Sequence, residues 1–227
     1  MFKQIIILSL FFSLGFAEKV SLEQKGVSVK LKDKQGKLYE MHVKRNIPEE
    51  CKKIKIDNDT LWTGNFAHAS VPEACKSTYV HTKGRLLPMH LDADLETYGE
   101  LEVLLTLKEM KTNPNLVLVD ARTKQWFKYR TIPGAINMPF NYFKEKVENE
   151  FEYEFALKYL GAVKDKEGHY DFDNVKTMVI FCNGPWCSQS PDMIFSLMTA
   201  GYPAEKLKWY RGWMQDWLSA GMTTTRK

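Results

Sequence analysis

Two short apolar segments, residues 116–119 and 178–181, constrain the fold of this 227-residue chain more than any other feature. Neither segment alternates polar with apolar residues, so each is predicted to be a strand buried on both faces. Residues 206–210 are a third candidate strand, and helix-type apolar patterns precede, separate and follow these segments. Alternating strands and helices indicate an α/β domain with a parallel sheet between layers of helices, which we assign to residues 96–222.

Particular residues mark the ends of the predicted helices. Gly161 is expected to end one helix of this domain. Ser190 followed by Pro191 is typical of an N-cap and a first helical position, so another helix is predicted to begin there. A last helix over residues 214–220 closes the domain, and residues 223–227 are left as a tail.

Residues 18–95 follow a different pattern. Val27, Val29 and Leu31 alternate with polar residues, and the turn-forming residues 34–37 separate them from a second extended stretch. This arrangement predicts a β-hairpin. The rest of the segment is rich in loop-forming residues and carries no catalytic constellation. We therefore predict a small β-rich module to which no role is assigned.

The first 17 residues have the features of a signal peptide. Lys3 precedes an apolar run over residues 5–16, and the small residues Gly15 and Ala17 fit a cleavage site before Glu18. The run is shorter than the ~20 residues that a transmembrane helix needs, although an uncleaved N-terminal anchor is the alternative. We therefore expect an exported, periplasmic protein that has no stable membrane span after cleavage.

Export bears on the four cysteines, Cys51, Cys75, Cys182 and Cys187. Disulfides persist in an oxidising compartment, and we expect a structural one between Cys51 and Cys75 that contributes about 3 kcal/mol. The cysteine spacings and the scattered histidines do not match a zinc site, so no metal and no other cofactor is expected. The small net charge of +4 also argues against a nucleic-acid partner.

The second apolar segment delivers a cysteine to its carboxyl end, where ligands bind in open α/β sheets. The loop that follows reads Cys182-Asn183-Gly184-Pro185-Trp186-Cys187-Ser188. Loop N–H groups and a helix N-terminus favour negative charge at one point, so we expect the pKa of Cys182 to be lowered and its sulfur to be a thiolate. A thiolate attacks or accepts sulfur. Gly184 is expected to remove bulk near this sulfur, and Pro185 to stiffen the turn.

Four blocks of sequence occur in order along the C-terminal half of the chain. They are residues 117–122 (Val-Leu-Val-Asp-Ala-Arg), 130–139 (Arg-Thr-Ile-Pro-Gly-Ala-Ile-Asn-Met-Pro), 179–182 (Val-Ile-Phe-Cys) and 210–217 (Tyr-Arg-Gly-Trp-Met-Gln-Asp-Trp). Each block is weak alone, but together they resemble the rhodanese-like domain family. The resemblance implies a rhodanese-like sheet sandwiched by helices, with Cys182 as the cysteine that forms a persulfide.

This chain departs from the family pattern inside the loop. Many family members carry an arginine directly after the cysteine and another five residues after it, whereas this chain has Asn183 and Cys187. Anion binding would then rest on backbone N–H groups, with Arg122, Arg130 and Arg211 as candidate supporting cations. Charge-assisted contacts are about twice as strong as neutral ones, so poor activity with thiosulfate is expected.

Cys187 has three interpretations. It is a resolving thiol that attacks a persulfide or sulfenic acid on Cys182, a small packing residue behind the loop, or half of a fixed disulfide that silences Cys182. The spacing permits all three, because it does not say where either side chain points.

Other residues near the loop are assigned supporting roles. Asp120 and Arg122 are expected to brace the loop and the sheet rather than react. Trp186 either covers the sulfur, binds substrate or packs, and Ser188 is expected to cap the next helix. Trp213 stands where the family has a glycine and is expected to reshape the pocket wall.

Together these residues favour a sulfurtransferase of the cell envelope. A small sulfur-containing anion, a polysulfide or a persulfide would load Cys182, and a thiol acceptor, including a protein thiol, or cyanide would take the sulfur. Two alternatives stay open: a thiol–disulfide oxidoreductase that uses Cys182 and Cys187, and a non-catalytic binding module. A phosphatase or arsenate reductase would need arginine at position 188, where this chain has serine.

Overall fold

The computed structural model describes residues 26–46, 49–50, 69–70 and 86–226. The strands of the described part are β1 (Val27–Lys32), β2 (Leu38–Val43), β3 (Glu96–Tyr98), β4 (Leu116–Asp120), β5 (Ile136–Asn137), β6 (Val163–Lys164), β7 (Tyr170–Asp171), β8 (Thr177–Phe181) and β9 (Leu207–Tyr210). Its α-helices are α1 (Glu100–Glu109), α2 (Lys124–Tyr129), α3 (Asn141–Lys144), α4 (Glu150–Leu160), α5 (Gln189–Thr199) and α6 (Trp213–Ser219).

A parallel sheet of order β3-β9-β8-β4-β5 forms the centre of the molecule. All five residues of β4 are buried, and so are four of the five in β8. Strands buried on both faces require helices above and below, which is why the two apolar segments could be identified from the sequence. The predicted α/β class with a parallel sheet and flanking helices is confirmed.

The helices largely follow the sequence signals, with one shift that matters for the site. Gly161 ends α4 with a left-handed conformation (φ 94°), as predicted. The helix predicted to begin after Ser190 begins earlier, with Ser188 at the N-cap position and Gln189 as its first residue. Ser190 therefore lies inside α5, and its hydroxyl is available to the loop.

The predicted N-terminal hairpin is present and packs on the α/β domain. Strands β1 and β2 pair antiparallel, and Gly36 in the turn between them has the positive φ (82°) that such turns favour. Val29 and Leu31 of β1 and Val43 of β2 are buried, and β1 contacts α1. The hairpin therefore shares one apolar core with the parallel sheet.

Backbone hydrogen bonds join the last described residues both to the chain after the hairpin and to the α/β domain. The Thr223 N–H donates to the carbonyl of Lys44 at 2.9 Å. Thr225 and Thr131 exchange two backbone hydrogen bonds of 2.9 and 3.0 Å. Residues 223–226 thus contact both the chain directly after β2 and Thr131 of the α/β domain.

Several predictions fall on parts of the chain outside the described residues. These are the signal peptide over residues 1–17 and the disulfide between Cys51 and Cys75. Among the helices that the structure does describe, none has the length and apolar character needed to cross a bilayer.

Candidate functional site

The candidate site lies at the carboxyl edge of the sheet, where β4, β8 and β9 end side by side. Asp120, the last residue of β4, pairs with Phe181, the last residue of β8. Residues 182–188 then form the loop that connects β8 to α5. This edge is where ligands bind in open α/β sheets.

Backbone hydrogen bonds fold the loop into a tight turn. The Cys187 N–H donates to the carbonyl of Gly184 at 2.9 Å, which brings the end of the loop back towards its beginning. N–H groups from the first turn of α6 donate to the carbonyls of Cys182 and Asn183 at 3.1 and 3.0 Å. The loop is therefore fixed from both the α5 and the α6 side.

Cys182 lies beneath the loop with no exposed surface. Its Sγ accepts hydrogen bonds from the hydroxyl of Ser190 (3.2 Å) and from the Ser190 N–H, and it donates to the carbonyl of Cys187 (3.3 Å). Trp209 Nε1–H in turn donates to Ser190 Oγ at 3.1 Å. Burial raises the pKa of the Cys182 thiol well above its ordinary value, and the hydrogen bond to Cys187 raises it further. Cys182 is therefore a protonated thiol at neutral pH.

Cys187 is the sulfur that most of the loop donors surround. Its Sγ accepts a long hydrogen bond from Asn183 Nδ2 at 3.9 Å, and the Cys182 side chain and the backbone N–H groups of Asn183 and Gln189 lie beside it. The Cys182 thiol contributes most, and together with the N–H donors it outweighs burial and lowers the pKa of Cys187 to about 7. Cys187 keeps 4% of its surface exposed.

The prediction of a thiolate with a lowered pKa at Cys182 is therefore wrong in this structure. Two donors from Ser190 do reach Cys182, but the cost of burying a charge there exceeds what they supply. The donors that were expected around Cys182 are present in the loop, but the N–H groups of Asn183 and Gln189 lie beside Cys187 instead. Both cysteines are free thiols rather than a fixed disulfide. The Cys182 thiol donates to the Cys187 carbonyl, so the two residues are in contact, and the role of Cys187 as a resolving thiol stays a prediction.

A buried ion pair aligns the side chain of Asn183. Arg122 Nε and Nη2 donate to the two carboxylate oxygens of Asp120 at 2.8 and 2.6 Å, and both side chains are buried. Arg122 Nη1 donates to Asn183 Oδ1 at 3.1 Å, so the Asn183 amide must turn its N–H₂ group away, towards Cys187. Thr131 Oγ1 adds a hydrogen bond to Asp120 at 2.8 Å. The predicted bracing role of Asp120 and Arg122 agrees with this geometry.

The other two candidate cations point elsewhere. Arg130 stacks its guanidinium over the ring of Tyr129, and its carbonyl accepts from Arg122. Arg211 stacks over Trp213 and donates to carbonyls of residues 87–88. Within the described part of the chain, no hydrogen bond joins an arginine or lysine to either sulfur.

The outer side of the loop is covered by a side-chain bridge. Trp186 Nε1–H donates to Gln215 Oε1 at 3.2 Å, and this bridge passes over Gly184. A Cβ atom at Gly184 would lie 2.4 Å from Gln215 Oε1 and 2.9 Å from the Trp186 indole nitrogen. The glycine therefore makes room for the bridge rather than for the sulfur. The carbonyl of Pro185 accepts a hydrogen bond from the Leu87 N–H at 3.0 Å, so the chain before β3 also contacts the loop.

Some functional side chains were missed or misplaced by the sequence analysis. Ser188 holds the N-cap position of α5, but its hydroxyl donates to Asp192 (3.3 Å) and accepts no hydrogen bond from the helix backbone. Ser190 and Trp209 form the donor pair behind Cys182, and no local sequence signal identifies such a pair. Trp213 is fully buried with a left-handed φ of 50°, and its Nε1 has no partner among the described residues.

Comparison with known proteins agrees with this architecture. The rhodanese-like domain family matches residues 104–220, just over half of the 227-residue chain. Among solved structures, the BH2092 protein from Bacillus halodurans is 17% identical and has a TM-score of 0.41, with 58% of this chain and 77% of that chain covered. The rhodanese-like domain of the Alr3790 protein from Anabaena sp. is 15% identical with a TM-score of 0.37, covering 60% of this chain and 81% of that chain.

A third solved structure, the RPA3614 protein from Rhodopseudomonas palustris, is described as a possible tyrosine phosphatase. It is 18% identical with a TM-score of 0.40, and the match covers 59% of this chain and 86% of that chain. No protein of curated function matches the chain significantly. The family match, the parallel sheet and the cysteine loop at its carboxyl edge agree with one another, and this chain belongs to the rhodanese-like domain family.

Proposed function

We propose that this protein is a sulfurtransferase whose loop over residues 182–188 takes up a sulfane sulfur and passes it to a thiol or to cyanide. One observation carries the proposal: two free cysteines, Cys182 and Cys187, lie in contact inside one loop, where the Cys182 thiol donates to the Cys187 carbonyl at 3.3 Å and N–H groups lie beside both sulfurs. Thiolate is the reactive form of cysteine towards sulfur, and the same donors would stabilise a persulfide.

The transfer is a pair of exchanges in which atoms and charge balance. The loop thiolate attacks the outer sulfur of a persulfide R–S–SH, a new S–S bond forms, the S–S bond of the donor breaks, and RS⁻ leaves. The protein then carries –S–SH. An acceptor thiolate attacks the outer sulfur of this group in the same way, which returns the loop thiolate. Neither exchange requires a metal ligand or a redox cofactor.

The surroundings of the two sulfurs favour a donor of low charge. Arg122 is occupied by Asp120 and Asn183, and Arg211 by the carbonyls of residues 87–88. The thiosulfate dianion would therefore have to bind through neutral donors beside an existing thiolate. Charge-assisted contacts are about twice as strong as neutral ones. We accordingly propose persulfides and polysulfides as donors in preference to thiosulfate.

Sulfur loading tests this proposal directly. The full-length protein is incubated with glutathione persulfide, polysulfide or thiosulfate, and its intact mass is measured. We expect a gain of about 32 Da, one sulfur atom, and loading by persulfide at least about tenfold faster than by thiosulfate, which corresponds to about 1.4 kcal/mol. The control is the double variant Cys182→Ser/Cys187→Ser, which retains the other two cysteines. A wild-type protein that gains no sulfur from any donor refutes the proposal and leaves the non-catalytic binding module.

A second candidate function, thiol–disulfide exchange, is favoured by the contact between the two free cysteines of the loop. Two neighbouring thiols, one of them a thiolate, are what an intramolecular disulfide requires. Redox titration of the Cys51→Ser/Cys75→Ser variant, followed by thiol alkylation and mass analysis, tests for a reversible Cys182–Cys187 couple. The absence of such a couple between about −120 and −300 mV would exclude this function.

We also propose that the protein works outside the cytoplasm, since Lys3 and the apolar run after it have the features of a signal peptide. N-terminal sequencing of the protein from a fractionated cell tests this. A periplasmic protein that begins at Glu18 is expected, and a cytoplasmic protein that retains Met1 would contradict the proposal.

A further inference from the structure

We infer that the outer face of helix α4 is a self-association surface on which two copies of this chain pack antiparallel. The inference goes beyond the proposed sulfur transfer and does not depend on it. It concerns a row of apolar side chains at four-residue spacing in and beside the helix, called the α4 ridge. The row consists of Val147, Phe151, Phe155, Tyr159 and Val163.

The α4 ridge is exposed, although the opposite face of the same helix already packs in the core. Ala156, Leu157 and Leu160 are buried on that inner face. The five side chains of the ridge keep between 44% and 81% of their surface exposed. Phe151 and Phe155 stack on each other, with ring centroids 6.5 Å apart. A helix that is apolar on both faces is typical of one that is covered on both, so we expect the ridge to be covered.

A groove beside the ridge supplies the shape that a second ridge needs. It has a volume of about 290 Å³ and lies between α4 and strand β5, the edge strand of the parallel sheet. Ile136, Met138 and Tyr142 line the side of the groove away from α4. Ridges with four-residue spacing pack into grooves in the commonest class of helix contact. Because each copy carries a ridge and a groove side by side, two copies related by a two-fold axis fill each other's grooves.

The charges around the ridge favour a second copy over other partners. Three glutamates lie within three residues of Phe151: Glu148, Glu150 and Glu152. Three lysines lie at the other end, two next to ridge residues and one stacked over the ring of Tyr159 at 5.7 Å: Lys158, Lys164 and Lys176. Antiparallel packing sets the acidic end of each copy against the basic end of the other, whereas parallel packing would set like charges together.

The same pattern continues beyond the ridge. The signs reverse at Lys146 on the acidic side and at Asp165 on the basic side, and antiparallel packing again brings these unlike charges together. An anionic membrane surface is a poorer partner, because helices that lie on such surfaces carry lysine and arginine beside their apolar face, and the Phe151 end carries glutamate. The surface is therefore complementary to itself.

The exposed apolar surface is sufficient for a weak dimer. A covered aromatic side chain buries about 150–250 Å², so at the exposed fractions above the ridge offers roughly 500 Å² per copy. Two copies would bury roughly 1,000 Å², which reaches the lower limit of about 1,000 Å² for a biological interface but not the about 1,600 Å² of a typical stable one. We accordingly expect a dissociation constant on the order of 10 µM.

The mass of the protein in solution tests the inference. Light scattering or analytical ultracentrifugation is applied to the purified wild-type protein from about 1 to about 200 µM. We expect the mass to rise from that of one chain towards that of two across this range. A protein that remains a monomer at the highest concentration overturns the inference, whether its ridge then proves to contact a different partner or residues of the same chain outside the described ranges.

A charge at the centre of the ridge is the second test. Phe155→Glu is expected to weaken dimerisation at least about tenfold, because it buries two carboxylates at the two-fold axis. Leu105→Glu in α1 is the matched control, since Leu105 and Phe155 are both more than half exposed and neither belongs to the core. The control should dimerise as wild type does. Equal association of the Phe155 variant and wild type, or equal weakening by the control, contradicts the inference.

An exchange of charges tests the antiparallel arrangement. Glu150 and Lys158 belong to one four-residue row beside the ridge, so Glu150→Lys or Lys158→Glu alone makes like charges meet and should weaken dimerisation at least about threefold. An equimolar mixture of the two variants should recover dimers, because a basic surface then meets an acidic one. A mixture that associates no better than the single variants refutes the arrangement. This measurement also decides the case if Phe155→Glu fails to fold.

Discussion

Asn183→Ala isolates the contribution of one side chain to the thiolate of Cys187. In the native structure Arg122 Nη1 donates to Asn183 Oδ1 at 3.1 Å, and the opposite end of the amide donates to Cys187 Sγ at 3.9 Å. Alanine removes the amide and leaves the backbone N–H of residue 183 in place. Only one of the donors to the sulfur is therefore lost.

The expected size of the effect follows from the geometry. A hydrogen bond to a charged group contributes about 1.5–3 kcal/mol, and we take about 1 kcal/mol because this donor is far from the sulfur. One pH unit corresponds to about 1.4 kcal/mol, so the pKa of Cys187 should rise from about 7 to between roughly 7.5 and 8. At pH 7 the thiolate fraction, and with it the alkylation rate, should fall roughly threefold, and the difference should vanish above about pH 9.

The assay is the pH dependence of Cys187 alkylation, measured on the chymotryptic peptide that begins at this residue. Asn183→Asp provides a second arm, since a carboxylate keeps the contact with Arg122 but puts negative charge beside the sulfur, and so should raise the pKa further. Asn149→Ala is the matched control, because its amide donates to the carbonyls of Asn141 in α3 (3.3 Å) and of Glu145 directly after it (2.9 Å), away from the loop. Profiles for both Asn183 variants that overlay the wild-type profile would refute the reasoning.

Three further predictions concern stability. Trp213→Gly removes a fully buried indole, which costs about 3–5 kcal/mol, but it relieves the left-handed backbone by about 1–2 kcal/mol. Urea unfolding should therefore show a net loss of about 2–3 kcal/mol in the free energy of unfolding. A variant as stable as wild type would contradict this. Ser190→Ala leaves the buried Trp209 N–H without its acceptor and should lower the free energy of unfolding by about 1–3 kcal/mol, whereas Ser190→Thr, which keeps the hydroxyl, should lose less. Because the folded pKa of Cys187 lies below its unfolded value, the thiolate contributes stability that is present above about pH 9 and is lost as the pH falls through about 7. The free energy of unfolding of wild type relative to Cys187→Ser should therefore rise from pH 7 to 9, and a flat difference would argue against a thiolate at Cys187.

The elements that the sequence predicted well are those whose signal is local. Strands β4 and β8 are apolar throughout because both faces of the sheet are covered, and this requirement can be read from five consecutive residues. The β1–β2 hairpin alternates because only one of its faces packs on the domain, and the observed burial of β1 alternates in the same way. Gly161 ends α4 through its own backbone conformation. None of these features depends on residues distant in the chain.

The helix after the cysteine loop shows where local signals become ambiguous. Ser190-Pro191 fits a helix start, yet α5 begins at Gln189, with Ser188 at the N-cap position and no side-chain cap hydrogen bond. The shift of two residues moves the Ser190 hydroxyl from the helix end to the sulfur of Cys182. A shift of two residues in the start of a helix leaves the fold unchanged, but it changes which side chain contacts Cys182.

By itself, the sequence determined that a parallel sheet would present two cysteines in one loop at its carboxyl edge, since strand burial and loop position are encoded in neighbouring residues. Only the tertiary structure decided which donors reach each of the two sulfurs. That choice depends on Arg122 turning the Asn183 amide and on Trp209 orienting Ser190, contacts between residues 61 and 19 positions apart. Burial and donor geometry set a thiol pKa, and both arise only when distant segments pack together.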